Sequence, residues 1–575
     1  MRQLSELDAS FLYLESETAP MHIGGVYLFD ASNRNEPLPF STFVAYLRSR
    51  LHVVPVFRQR LKEIPLRLGR PYWIDDPDFS IERHLAYVNL AEHSHQSDLM
   101  ALASKILEEP LKRDRPLWHI TFVDGFTLGE ERGGRDENGV RRTSSSDPGG
   151  DREGESGLGV RRTSSSDPVG DDREGEGEHG VRRKLSSDPG LEGGHQGSGG
   201  NRGFALIVKL HHAAIDAFSG EEIIGKLLEY TPEPRPITPP RPWQPCPEPS
   251  EERVMLQAGA NLLRTPLQVT SLAMTAAEAT ARGVIQKQLR KLPLPLPLFS
   301  APHSPFNRQI TANRQIVATT VDLSRLKAIK ATLGDVTLND VVLGLCAETL
   351  RRYLVTQQAD TDRSLVAMTP ISVRSSSLRR ATGNQMSAML LDLATNEPDP
   401  AKRIRQIHWN AVASEPYREA IAADRLTELL PSTMLALSAR LYSELQIAQR
   451  YQPVFNLPIT NVPGPQVPLY LQGARLVRQY NTAPLFDSMG LVIVAVSYQG
   501  KLTLNFTLCP DVVADGMSFP DLVEESLASI ESNAPNVEPA ESGDAPREVA
   551  GQSLTDEALT LLEGVLRKTL KRFRA

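Results

Sequence analysis

The chain has 575 residues, 40% of them apolar, and a net charge of −7 at neutral pH: enough apolar content for substantial cores, and too acidic a balance for a nucleic-acid binder. No stretch reaches the run of about 18 apolar residues expected of a membrane span. The three cysteines (Cys246, Cys346 and Cys509) are far apart, so neither a disulfide framework nor a cysteine zinc site is supported, and a reducing cytosol fits.

The opening MRQLSELDASFLYLESE is acidic where a signal peptide would be basic and then apolar, so export is not expected. Residues 1–127 alternate apolar and polar stretches and read as folded. Residues 128–202 do not. They carry GVRRTSSSDP at Gly139 and Gly159 and GVRRKLSSDP at Gly180. A solenoid is ruled out because each unit offers too few apolar side chains to bury a face, and Gly, Ser, Asp, Glu and Arg cannot offset the entropy of ordering. The segment reads as a disordered insertion between two strands, TFVDGF (121–126) and GFALIVKL (203–210). Its Arg141-Arg142-Thr143-Ser144 pattern matches a kinase substrate, but a tolerated repeat expansion in a surface loop is the simpler account.

The first folded region resumes at 203–230. Next come a proline-rich spacer (231–249), an Ala/Leu-rich helical stretch (about 251–291) and a second proline cluster, so that 231–310 form a linker. Residues 311–530 alternate strand-like and helix-like segments and read as a second lobe. Within it, GLVIVAVSYQGKLTLNFTL predicts a hairpin turning at Tyr498-Gln499-Gly500. Beyond 530 an acidic tail leads to LTDEALTLLEGVLRKTLKRFRA. This basic amphipathic helix fits an anionic membrane surface and docking on its own protein equally well.

The chemistry concentrates in KLHHAAIDAFSG (209–220). Phe204–Leu210 read as a buried strand, and Ser219-x-x-Glu222 is a capping box ahead of a helix, so His211 and His212 fall at a strand end and Asp216 in the turn after it. Neighbours in an extended segment face opposite ways, so the pair does not share a metal easily, and no HExxH accompanies it. A structural histidine remains the bland alternative, while a neutral imidazole at that position can take a proton near pH 7. No G-x-S-x-G elbow, Cys/His arrangement or Walker A sequence is found, which leaves no covalent nucleophile or ATP-dependent step to read. A second capping box, Thr337-x-x-Asp340, puts Asp340 in a helix first turn.

HHAAIDA resembles the HHxxxDG signature of CoA-dependent acyltransferases, and of the wax ester synthase/diacylglycerol acyltransferase branch in particular. LSELDASFLYLESETAPMHIGG (4–25) and RPLWHI (115–120) are similar to segments of that branch. So are VTLNDVVLGLCAETLRRYL (336–354), PISVR (370–374), GNQMS (383–387) and TNVPGP (460–465). The resemblance implies a mixed α/β (α+β sandwich) fold of two chloramphenicol-acetyltransferase-like lobes with the site in a tunnel between them. It implies His212 as general base, His211 as its support, Asp216 as a structural partner of Arg374, and Asn339 with Asp340 as a supporting pair. The expected substrates are acyl-CoA and diacylglycerol or a long-chain alcohol, with no separate cofactor and no metal. The expected place is the cytoplasm, peripheral to membrane or lipid inclusions. A superfamily acyltransferase with another acceptor, or a non-catalytic lipid-binding protein, is the alternative. Two departures stand out. Ala217 replaces the signature glycine, which costs roughly 1 kcal/mol if that backbone is left-handed. The insertion enters just upstream of the histidine strand, although a long flexible loop there costs little in closure entropy.

Overall fold

The computed structural model describes residues 2–34, 36–64, 70–126, 203–214, 225–235, 243–250, 252, 300–372, 386–414 and 452–534. In chain order the first half contains β1 (Arg2–Gln3), α1 (Glu6–Leu14), β2 (His22–Asp30), α2 (Phe40–Arg50), β3 (Gln59–Lys62) and β4 (Tyr72–Asp75). It continues with β5 (Leu85–Ser94), α3 (Gln96–Glu108), β6 (Trp118–Phe126) and β7 (Gly203–His211). The second half has β8 (Gln315–Asp322), α4 (Leu323–Leu333), α5 (Leu338–Thr356), β9 (Val366–Ser372), β10 (Met386–Asp392) and α6 (Pro400–Ser414). There follow β11 (Leu457–Pro463), β12 (Tyr470–Leu471), β13 (Ala474–Thr482), β14 (Leu491–Tyr498), β15 (Lys501–Leu508) and α7 (Phe519–Asn533).

These strands build two six-stranded mixed sheets, ordered β12-β13-β2-β7-β6-β5 and β10-β9-β11-β14-β15-β8, and a small β1-β4-β3 sheet. The fold is thus the two-lobed α/β arrangement expected. One strand departs from the simple division: β13, from the range read as the second lobe, pairs antiparallel with β2 of the first sheet from Arg475↔Asp30 to Thr482↔Gly24. The two halves are therefore tied by a shared ladder as well as by side chains. Arg314 adds to the tie, its backbone N–H donating to Glu108 Oε1 at 3.1 Å and its guanidinium to the Thr18 carbonyl at 2.5 Å.

The apolar run of β7 is continuous because both of its faces are covered. Leu206, Val208 and Leu210 enter one core with Phe43, Phe57 and Trp118, while Ala205 and Ile207 enter another with Leu99, Ala103 and Leu107 of α3. β6 and β7 pair antiparallel from Trp118↔Leu210 to Val123↔Ala205, so the two strands flanking the 128–202 insertion are neighbours.

Local signals in the second lobe are realised directly. β14 and β15 pair from Leu491↔Leu508 to Tyr498↔Lys501, and Gln499 (φ 47°) and Gly500 (φ 76°) form the two-residue turn. Positive φ at both positions matches the right-handed twist of the flanking strands. α5 begins with the Thr337/Asp340 capping box and is buried from Asp340 to Leu350, where Val341, Val342, Leu343, Leu345 and Leu350 supply most of the buried surface.

β2 is squeezed between β7 and β13, which explains its Gly24-Gly25 pair. A Cβ on Gly24 would lie 2.0 Å from the Val208 carbonyl oxygen, and one on Gly25 2.9 Å from that of Tyr480. Backbone cannot step aside as a side chain can, so Gly24→Ala is expected to destabilise by about 3 kcal/mol or more. A wild-type urea midpoint in that variant would refute the packing argument.

The repeat insertion, the Ser219 capping box, Asp216, Ala217, the 251–291 helical stretch, Arg374 and the C-terminal basic helix lie outside the described residues.

Candidate active site

His211 is the last residue of β7, and His212 opens a short 3₁₀ turn, His212–Ala214. The strict alternation of a strand therefore ends between them, and both rings meet α1. Their backbone is fixed from two sides: His211 N–H donates to the Leu117 carbonyl at 3.0 Å and His212 N–H to that of Met21 at 2.8 Å.

The His211 side chain is fully buried, and its Nδ1 accepts the Ala213 N–H at 3.1 Å. With Nδ1 an acceptor, a neutral ring carries its proton on Nε2. That atom faces Glu15 Oε1 at 3.4 Å, the spacing of an electrostatic contact more than of a short hydrogen bond. His212 lies flat on Phe11, ring centroids 3.8 Å apart and planes 18° from parallel. Burial, together with the neighbouring His211, pushes its pKa down to about 4. At pH 7 it is an unprotonated imidazole, and its Nδ1 has no hydrogen-bond partner among the described residues.

Two groups around the pair were not singled out from sequence. Glu15 has a side chain only 7% exposed, and its carboxylate accepts from Arg113 Nε at 3.1 Å and Nη2 at 2.7 Å. Burial opposes its charge and is the largest single influence, but His211 and Arg113 outweigh it and hold the pKa down at about 2. Lys209, hidden in the apolar run, is buried with Nζ donating to the carbonyls of Ile106 (2.8 Å) and Glu109 (2.6 Å). It serves the C-terminal end of α3, where a cation is favoured, and burial lowers its pKa to about 8.

The tryptophan of the 115–120 segment supports this arrangement from below. Trp118 stacks between Phe57 and His84, each at 4.5 Å, and its Nε1 donates to the Phe57 carbonyl at 2.9 Å. That stack seats Leu117, whose carbonyl holds His211.

Asn339 and Asp340 occupy a different setting. Asn339 is exposed, and its Oδ1 accepts from Asn461 Nδ2 at 3.0 Å, which joins the 336–354 and 460–465 segments. Asp340 is 3% exposed and accepts from Thr337 N–H (2.7 Å), Thr337 Oγ1 (2.8 Å) and His408 Nδ1 (2.8 Å). Its carboxylate is committed to capping α5 and anchoring α6. Asp340→Ala is therefore expected to cost about 2–3 kcal/mol of stability through lost capping and buried donors left unpaired. Urea midpoints of Asp340→Ala and wild type test this, and an unchanged midpoint would refute it.

The histidine pair sits at the junction of the lobes. Met21 belongs to the large core of the second lobe, and Phe11, Leu14 and Leu338, the first residue of α5, pack against that same core.

Two lobes of mixed sheet thus meet at an uncharged histidine held at a strand end, a group able to accept a proton near pH 7. Residues 4–131 and 197–342 match the wax ester synthase/diacylglycerol acyltransferase catalytic domain, and residues 382–531 match the WS/DGAT C-terminal domain. The chain belongs to this family of O-acyltransferases. It is 29% identical over 548 residues to a putative diacylglycerol O-acyltransferase of Mycobacterium tuberculosis, covering 92% of this chain and 90% of that one. It is 25% identical over 553 residues to the O-acyltransferase WSD of Acinetobacter baylyi, covering 92% and 97%. Among solved structures, the wax ester synthase/diacylglycerol acyltransferase from Marinobacter aquaeolei VT8 shares the fold with a TM-score of 0.56 at 24% identity, over 92% of this chain and 99% of that one.

Proposed function

We propose that this enzyme moves a fatty acyl group from acyl-CoA to diacylglycerol or a long-chain alcohol, with His212 as general base. The observation that carries the reading is the uncharged His212 ring, stacked on Phe11 at the lobe junction beside the fixed His211. An acyl thioester is already activated. His212 takes the acceptor's O–H proton as the oxygen attacks the thioester carbon. The tetrahedral intermediate then collapses, the C–S bond breaks, and the CoA sulfur leaves with the proton that His212 returns. The products are one ester and one free CoA. Asp216 and Arg374 keep their proposed structural pairing, and Asn339 its supporting role.

The test offers purified protein radiolabelled palmitoyl-CoA with hexadecanol or dioleoylglycerol separately. Ester formation by wild type supports the reading, and the ratio of products assigns the acceptor. A folded wild type that makes neither ester defeats it.

The lipid character of these substrates calls for contact with a membrane or lipid inclusion. No helix among the described residues is long and apolar enough to cross a membrane. α6 exposes Trp409 (54% exposed) and Val412, with the exposed Lys402 about two turns before Trp409, a composition suited to an anionic lipid surface. The C-terminal basic helix is a further candidate for that contact.

A further inference from the structure

One turn of helix addresses both histidines. At the end of α1, Phe11 covers the His212 ring, and its carbonyl accepts the Glu15 N–H at 3.2 Å, which closes the helix and brings the Glu15 side chain to the same side. Three hydrogen bonds and one longer contact converge on that carboxylate, from four N–H groups in all. Oε2 takes Arg113 Nε and Nη2, while Oε1 takes the Met21 N–H at 3.3 Å and faces His211 Nε2 at 3.4 Å. Met21 in turn holds the His212 N–H through its carbonyl.

We propose that Glu15 is a positioning residue for the acyl transfer. It keeps the Nε2–H of His211 facing one fixed acceptor, and through Met21 it seats the His212 backbone so that the ring lies under Phe11. The proposal rests on the reading of His212 as the base. A carboxylate is the side chain the site requires, because its two oxygens are acceptors only. Glutamine at this position offers one oxygen and one NH₂, so two of the four donors would meet another donor. Aspartate keeps both acceptors but withdraws them by one methylene.

A simpler role, in which the Glu15–Arg113 pair merely ties α1 to the 113–118 segment, makes a different prediction, and full-length wild type, Glu15→Gln and Glu15→Asp separate the two. Two readouts are used: kcat and both KM values with palmitoyl-CoA and hexadecanol, and ¹⁵N imidazole spectra of histidine-labelled protein, with His211 assigned by its loss in His211→Gln. Glu15→Gln is expected to lose about 30- to 100-fold in kcat, as small misplacements of a reacting group do, with KM values within about threefold. Glu15→Asp should recover part of the loss, and the His211 Nε2 resonance should move in Glu15→Gln. Should Glu15→Gln fail to fold, the same readouts on Glu15→Asp decide. Equal kcat losses in both variants that merely follow their loss of thermal stability, or an unmoved His211 resonance in a folded variant, would overturn the proposal. A wild type with no turnover on any acceptor defeats the acyl-transfer reading instead, and the imidazole spectra still decide the Glu15–His211 contact.

Discussion

His212→Ala is expected to lower kcat by about a thousandfold with little change in either KM, within the range general-base catalysis contributes. The argument turns on what the ring supplies and what it does not. Burial keeps His212 uncharged, with a pKa of about 4, so nearly every molecule at pH 7 carries the imidazole in proton-accepting form. Its ring is held by stacking on Phe11 and its backbone by Met21, so little reorganisation is needed when the acceptor hydroxyl arrives. Alanine removes the base and leaves these neighbours in place. The loss should therefore fall on the chemical step and spare ground-state binding. Initial rates of CoA release, with folding checked by circular dichroism, measure it. A folded His212→Ala enzyme retaining about a tenth or more of wild-type kcat would show that the proton goes elsewhere. His211→Ala is the informative companion. It should cost less, because His211 contacts Ala213 and Glu15 and in the proposed mechanism leaves the substrate proton to His212.

Features encoded over a few residues were legible before the fold was known. The Thr337/Asp340 capping box closes as its spacing implied, the Gln499-Gly500 turn takes the positive φ values its hairpin needs, and Phe204–Leu210 form the buried strand that ends at the histidines. Each signal depends on neighbours within one or two turns of chain, where propensity and periodicity act. The family resemblance carried the two-lobed fold and the enzyme class. What escaped was fixed by topology. Glu15 looks like one of several acidic residues in the opening segment, and only the packing of α1 against the His212–Ala214 turn brings it to His211. Lys209 reads as a blemish in an apolar strand until the C-terminal end of α3 is set against it. His408 gives no sign of meeting Asp340, because the helix that carries it follows two intervening strands. β13 lies in the range read as the second lobe, and its place beside β2 depends on the chain crossing between lobes.

Burial of uncharged histidines sets a limit on the enzyme in acid. His84, His119 and His212 are each held at a pKa of about 4, and His22 well below its ordinary value, in every case chiefly by burial. The unfolded chain returns all four to the reference value of 6.5. Between roughly pH 6.5 and 4 the unfolded state therefore binds more protons than the folded state, and stability must fall as pH falls. Near pH 5.5 the four together give a slope of about 5 kcal/mol per pH unit, against a typical total stability of about 5–15 kcal/mol. Glu15 adds to the loss only lower down, between its unfolded value of 4.5 and its folded value of about 2. Lys209 contributes no slope in this window, since at a pKa of about 8 it is protonated in both states. The urea midpoint is thus expected to drop steeply from pH 7 to 5.5, and above about pH 8 to rise only with the shallower slope that Lys209 alone supplies. His119→Gln removes one of the four titrating groups and should reduce the slope by about a quarter. A midpoint that holds steady from pH 7.5 to 5.5 would mean that these imidazoles take up protons in the folded protein, His212 among them, and the uncharged base would then have to be abandoned along with the acid limit.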